Sequence, residues 1–100
     1  MNDKYILEGH EPVIEPDLMK WAKWFETANR RVAEDVIGES RVSTVFIGLD
    51  HSFGIGKKPL LFETIVFGGN FDGELERYST WEEAELGHKK MVKKLENPNA

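Results

Sequence analysis

Two histidines and a glutamate are the residues best suited to acid–base chemistry, because each is set beside apolar neighbours. Glu63 lies within the apolar run 60–67, where burying an unpaired carboxylate would be costly. His51 lies just beyond the apolar run 42–49, and His88 lies on the apolar stripe of a predicted C-terminal helix. We interpret His51, His88 and Glu63 as candidate catalytic residues.

Each of these candidates also has a structural interpretation. Glu63 can form a hydrogen-bonded pair with Tyr78, and His88 can be a core histidine bonded to the backbone or to Tyr78. Asp50 can cap a turn, which would leave His51 exposed. No spacing of histidines and carboxylates fits a zinc site, and the chain has no cysteine. We therefore expect neither a metal nor a cofactor.

The ten residues between the two apolar runs form a loop that contains glycines and lysines. Gly54 and Gly56 precede Lys57 and Lys58, so backbone amides and two ammonium groups could meet an anion there. The spacing of a nucleotide-binding P-loop is absent, and no helix follows. We predict a ligand site where this loop meets the neighbouring strands, formed by Asp50, His51, Phe53, Glu63, Arg77 and Tyr78.

Short strands and two amphipathic helices must position these residues. The central hairpin joins 42–49 to 60–67, and both runs are apolar on both faces. Further strands are predicted at 5–7, 31–37 and 74–79, and helices at 16–30 and 80–95. Thr80 and Glu83 begin the second helix with the pattern of a capping box.

These elements predict an α+β fold, an antiparallel meander of four to five strands with two helices packed on one face, in the order β-α-β-β-β-β-α. From the turn positions we expect Glu34 to lie opposite Thr44. Phe46 then lies opposite Glu63, which in turn lies opposite Tyr78. This register places Glu63 and Tyr78 on the same face of the sheet.

Length and composition indicate one α+β domain, residues 1–100, with an ordered core at about 4–95. The net charge of −5 argues against binding duplex nucleic acid, because phosphate contacts need a basic surface. No apolar run approaches the ~20 residues that span a bilayer, and the start of the chain does not have the pattern of a signal peptide. We therefore expect a cytoplasmic protein without a membrane partner.

The central strands also predict a partner for the sheet. Two helices cover only one face of a four-stranded sheet, whereas runs 42–49 and 60–67 are apolar on both faces. We expect the second face to be covered by another copy of the chain, in a homodimer or a higher homo-oligomer.

Three segments carry a resemblance to a known group of proteins: Ser43–His51 (STVFIGLDH), Leu60–Thr64 (LLFET) and Tyr78–Ala84 (YSTWEEA). With Trp21–Glu26 and Gly87-His88, they resemble small uncharacterised proteins encoded by phages and prophages, over roughly residues 4–92. The resemblance implies a host bacterial cytoplasm and an anti-defence role, in which some small phage proteins bind or cleave nucleotide immune signals. It implies no catalytic residues.

Three hypotheses about function follow from the residues and the resemblance. The first is a protein that sequesters a small nucleotide-like ligand in a compact pocket. The second is a metal-independent phosphodiesterase or hydrolase at the same pocket, with His51 or His88 as the base. The third is an inhibitor that binds a host protein without using a pocket.

Overall fold

The computed structural model describes residues 3–52 and 58–98 of the chain. Within them, six strands and two helices follow one another in the order β-β-α-β-β-β-β-α. They are β1 (Tyr5–Glu8), β2 (Glu11–Ile14), α1 (Leu18–Thr27), β3 (Arg31–Ile37), β4 (Ser40–Phe46), β5 (Phe62–Phe67), β6 (Leu75–Tyr78) and α2 (Trp81–Glu96). Neither helix in this part of the chain has the length and apolar character needed to cross a bilayer.

The larger sheet is a four-stranded antiparallel meander with the strand order β3-β4-β5-β6. A two-residue turn, Gly38-Glu39, joins β3 to β4, and Gly38 has the positive φ (58°) that such turns require. The α+β class and the antiparallel meander predicted from the sequence are confirmed.

A separate two-stranded sheet precedes the meander. The predicted edge strand at 5–7 is part of β1, and it pairs with β2, a strand that we did not predict. Pro12 lies within β2, opposite Leu7, and proline is tolerated in edge strands such as those of a two-stranded sheet. The hairpin is attached to the larger sheet because Tyr5 N–H donates to Gly48 O at 2.8 Å.

Both helices pack on one face of the meander, as predicted. In α1, the Asp17 side chain caps the first turn by accepting from Lys20 N–H. Trp24 of α1 makes an edge-on contact with Phe46 of β4. In α2, Thr80 and Glu83 form the predicted capping box, and the buried residues are Ala84, His88, Met91 and Leu95.

Side chains alternate between two faces of the meander. The face under the helices, called the helix face here, carries the fully buried residues Val42, Thr44 and Phe46 of β4 and Phe62, Thr64 and Val66 of β5. The opposite face, called the open face, carries Arg31, Glu34, Val36, Arg41, Ser43, Val45, Glu63, Ile65, Phe67, Leu75 and Arg77.

Each expected strand pair differs from the observed one by a single residue. Phe46 lies opposite Phe62, Glu63 lies opposite Arg77, and Glu34 lies opposite Ser43. The shift of Glu34 from Thr44 to Ser43 arises because the turn between β3 and β4 has two residues rather than three. Since a shift of one residue reverses a side chain's face, the expectation that Glu63 and Tyr78 share a face is wrong.

Candidate functional site

The predicted site residues lie in three separate places. Asp50 and His51 follow β4 at the start of the loop, and Phe53 lies outside the described residues. Glu63 and Arg77 are on the open face. Tyr78 and His88 belong to the layer between the sheet and α2. These residues therefore do not form one pocket.

Asp50 closes the base of the loop that follows β4. Its Oδ1 accepts hydrogen bonds from Ser52 N–H at 2.8 Å and Leu60 N–H at 3.0 Å. Burial opposes ionisation of this carboxyl, but the hydrogen bonds from Ser52 and Leu60 outweigh burial, with a smaller contribution from His51, so its pKa is lowered. This geometry fits the structural interpretation, in which Asp50 is a turn cap.

Glu63 pairs with Arg77 rather than with Tyr78. Arg77 Nε donates to Glu63 Oε2 at 3.0 Å across the β5–β6 pair. The Tyr78 hydroxyl instead donates to Thr64 Oγ1 at 3.2 Å, on the other side of the sheet. The interpretation of Glu63 and Tyr78 as a hydrogen-bonded pair is therefore wrong. The reason is again that the register of β5 and β6 differs by one residue from the expected one.

His88 is the centre of a chain of hydrogen-bonded polar groups, in which Thr44 and Thr64 are buried and the Asp35 side chain is 56% exposed. His88 itself is 3% exposed and faces the sheet, as its helical position predicts. Its Nδ1 lies 2.7 Å from Thr44 Oγ1, and its Nε2 lies 2.8 Å from Asp35 Oδ2. Thr44 Oγ1 is 2.5 Å from Thr64 Oγ1, which accepts from Tyr78. The chain of hydrogen bonds crosses the whole sheet, from β3 to β6.

Asp35, His88 and Thr44 have the order of a carboxylate–histidine–hydroxyl triad. Thr44 is fully buried, however, and a nucleophile must reach its substrate. The geometry therefore fits a satisfied structural network, in which each histidine nitrogen has a partner. The sequence contained one signal for it: Thr44 and Thr64 are polar residues inside apolar strands. The role of Asp35 came from tertiary packing alone.

In the part of the chain that the structure describes, a groove of about 610 Å³ lies between β6 and α2. We call it the β6–α2 groove. Its walls are formed by Leu60, Glu74, Glu76, Arg77, Tyr78, Ser79, Glu83, Leu86, Gly87, Lys90, Met91 and Lys94. Sequence analysis identified only Arg77 and Tyr78 among these residues, because the groove depends on how β6 and α2 pack.

Tyr78 forms part of the floor of this groove. A side chain at Gly87 would collide with the Tyr78 ring, so the glycine allows the tyrosine to lie against α2. Burial raises the pKa of Tyr78, the charge of Glu76 adds to the increase, and the hydrogen bond to Thr64 opposes it. The ordinary tyrosine pKa of 10.0 already keeps the phenol neutral at neutral pH, and burial acts in the same direction.

Acidic and basic side chains alternate around the groove. Glu74 forms an ion pair with Lys94, and Glu83 accepts from Thr80 N–H as part of the capping box. Glu76 and Lys90 take part in no ion pair with the described residues. The groove thus carries both signs of charge above an apolar floor.

β6 is an edge strand, and its outer edge borders this groove. Val66 N–H donates to Glu74 O, and Leu61 N–H donates to Tyr78 O, so these carbonyls point toward β5. In an antiparallel ladder, the residues between such positions direct their backbone groups the other way. Leu75 and Arg77 therefore present their N–H and C=O groups outward, away from β5.

No cluster of three or more metal-binding side chains occurs in the part of the chain that the structure describes. Comparisons of the sequence with protein-family models and curated proteins, and of the structure with solved structures, found no match.

Proposed function

We propose that this protein is a homo-oligomeric binding protein that holds an extended peptide segment of a partner in the β6–α2 groove. One observation carries the proposal: outward-facing backbone groups of β6 border a groove whose other wall is a helix. Extended peptides bind such edges by adding a strand, and the backbone hydrogen bonds provide affinity while alternate side chains provide specificity.

The dimensions of the groove support this occupant. Neighbouring strands lie about 4.8 Å apart, so a strand added to β6 would lie alongside α2. Alternate peptide side chains would then contact the apolar residues Leu60, Leu86 and Met91. Glu76 and Lys90 are available to pair with charges of either sign on the peptide. Because β6 has four residues, it would pair with a segment of similar length.

The buried polar network supports binding rather than catalysis. The Thr44 hydroxyl is the group that His88 could activate, and it is fully buried under α2. A substrate in the β6–α2 groove would meet the Tyr78 phenol, which is protonated. Neither group fits the role of a nucleophile at neutral pH.

The second candidate is the nucleotide-like ligand suggested by the resemblance to phage proteins. Lys90 and Lys94 contribute cationic groups to the groove, and a volume of about 610 Å³ is within the range of small-molecule sites. The three glutamates of the groove oppose an anionic ligand, and we therefore place this candidate second.

Two substitutions of one residue test the leading proposal. Arg77→Pro removes the outward N–H, whereas Arg77→Ala removes only the side chain, and proline is tolerated where a strand's N–H faces solvent. A heptapeptide selected from a random display library on the wild-type protein serves as the probe. We expect its Kd to rise about tenfold more in the Pro variant than in the Ala variant, one lost hydrogen bond being about 1.4 kcal/mol.

Bound peptide should also slow hydrogen exchange at the amides of Leu75 and Arg77. Equal Kd values for the two variants would contradict strand addition. A panel of cyclic dinucleotides and ADP-ribose derivatives tests the second candidate, by chromatography of what heated protein releases. Intact release of one member would favour sequestration of a nucleotide, and an altered product would favour a phosphodiesterase.

A further inference from the structure

The open face of the meander is uncovered, and it carries five apolar residues among its charged ones. Val36 is 72% exposed, Phe67 is 42% exposed and Leu75 is 40% exposed. The half-buried residues Val45 and Ile65 lie on the two central strands of the same face. In the described parts of the chain, both helices and the β1–β2 hairpin pack on the helix face. A single copy therefore leaves both central strands covered on one side only.

The carboxylates of the open face are already paired within one copy. Glu34 lies 2.8 Å from Arg41 and 3.6 Å from Arg31. Glu63 lies 3.0 Å from Arg77, and the Arg41 guanidinium also lies over the Phe67 ring. Covering this face would therefore leave no carboxylate without a partner, which is the condition for burying charge at low cost.

The charge balance of the face excludes some partners and suits a second copy. Three arginines and two glutamates nearly cancel, so the face lacks the basic excess that nucleic acid or an anionic membrane would need. Two identical faces with almost no net charge do not repel each other. Each also offers both signs of charge around an apolar centre, which is the arrangement expected of a self-complementary surface.

The size of the face allows a dimer of modest stability. Four strands at about 4.8 Å spacing and six residues at about 3.3 Å give a patch of roughly 20 × 20 Å. Two such patches total roughly 800 Å² when flat, and the relief of their side chains adds to this area, so the interface lies at the small end of the size range, which begins near ~1,200 Å². Ser43, a small and buried residue on β4, allows two sheets to approach closely at the centre.

We propose that the open face binds the open face of a second copy, in a two-fold dimer with four layers in the order helix, sheet, sheet, helix. This inference rests on the self-association proposed above, and it states which surface of the protein forms the contact. Val36, Val45, Ile65, Phe67 and Leu75 form the apolar contact, with the paired arginines and glutamates around it. The β6–α2 groove lies on the far side of each sheet and stays open in the dimer.

A matched pair of variants tests this surface. Val36→Lys with Leu75→Lys places two ammonium groups on the open face, whereas Met19→Lys places one at an exposed apolar position on α1. Light scattering on the full chain, from about 2 to about 200 µM, covers the range expected of a small interface. We expect the wild type and Met19→Lys to reach twice 11.5 kDa and the double variant to remain at 11.5 kDa. Circular dichroism checks that all three are folded.

The outcomes separate the two levels of the proposal. A wild-type protein that remains monomeric throughout would overturn both the proposed self-association and the assigned surface. Dimerisation of the double variant with wild-type affinity would overturn the surface alone. A wild-type protein that binds only a different protein through Val36 and Leu75 would overturn the second copy as the occupant. Arg77→Pro and Arg77→Ala both lose the contact with Glu63 on the open face, so the difference between their peptide affinities reports on strand addition and not on the dimer surface.

Discussion

At the scale of single residues, two of the polar residues predicted to form a site instead make hydrogen bonds that connect parts of the fold. Asp50 joins the two ends of a loop, and His88 joins α2 to the sheet. Buried polar groups of this kind stabilise a fold only when they are satisfied, and both nitrogens of His88 have partners. The hydrogen bonds of His88 link α2 to both β4 and β3.

Replacing His88 should therefore affect stability and leave binding intact. His88→Ala leaves Thr44 and Asp35 without their shared partner and creates a cavity under α2, and we expect the free energy of unfolding to fall by about 1–3 kcal/mol. Urea denaturation measures the change, and Lys89→Ala, at an exposed position of the same helix outside the groove, is the control. A variant with wild-type stability and abolished peptide binding would show instead that His88 belongs to the site.

The lowered pKa of Asp50 predicts how the stability of the folded protein depends on pH. Because the pKa of its carboxyl is lowered in the folded protein, its contribution to stability is present above the ordinary value of 3.8 and is lost as the pH falls through the folded pKa. Asp50→Asn keeps the acceptor oxygen but loses the charge. We expect it to cost about 1 kcal/mol at neutral pH, since hydrogen bonds to charged groups exceed neutral ones by that amount.

Below the folded pKa of Asp50, the wild type and Asp50→Asn should have nearly equal stability. Chemical denaturation at a series of pH values measures both. Glu85→Gln, on the exposed side of α2, serves as the control for removing one carboxylate. A constant difference between wild type and Asp50→Asn at all pH values would contradict the assigned role of the charge.

At the scale of elements, α2 holds the molecule together. It contacts all four strands of the meander, and its residues contribute to both apolar clusters of the core. Its first turn is stabilised by the capping box, in which Thr80 accepts from Glu83 N–H and Glu83 accepts from Thr80 N–H. The start of this helix also forms one end of the β6–α2 groove.

Loss of the cap should weaken the whole fold because the helix forms one layer of the core. Thr80→Ala removes the hydroxyl acceptor, and we expect a cost of about 1 kcal/mol, or roughly 4–8 °C in Tm for a domain of this size. Thr80→Ser keeps the acceptor and should stay close to the wild type. Thermal denaturation followed by circular dichroism compares them, and equal melting of all three would rule out a contribution from the cap.

At the scale of the whole molecule, the fold is two layers thick, with a sheet, a layer of helices and a hairpin at one end. The extents of 46 × 30 × 20 Å fit this description, because the shortest dimension holds one sheet and one helix layer. One layer of helices protects the helix face, and a second copy is proposed to protect the open face. The edge of β6 remains available for a partner segment in either state.

The sequence by itself determined the local elements of this protein. Helical spacing placed His88 on the buried stripe of α2, and the Thr80–Glu83 pattern marked the start of that helix, because both signals lie within a few consecutive residues. Apolar runs bounded by turn residues identified the two central strands of the meander, and shorter runs identified the two outer strands. The same reasoning missed β2, because Pro12 breaks the apolar pattern on which strand prediction depends.

Only the tertiary structure decided which polar groups meet. Strand register depends on the length of each turn, and one residue more or less moves a side chain to the other face. Here the observed register differs by one residue from the expected one, and Glu63 therefore lies beside Arg77 and not beside Tyr78. The Asp35–His88 contact joins residues 53 positions apart, and no local pattern encodes such a distance. The periodicity of a helix or strand depends only on residues that are close in the sequence, whereas contacts between elements depend on the packing of the whole chain.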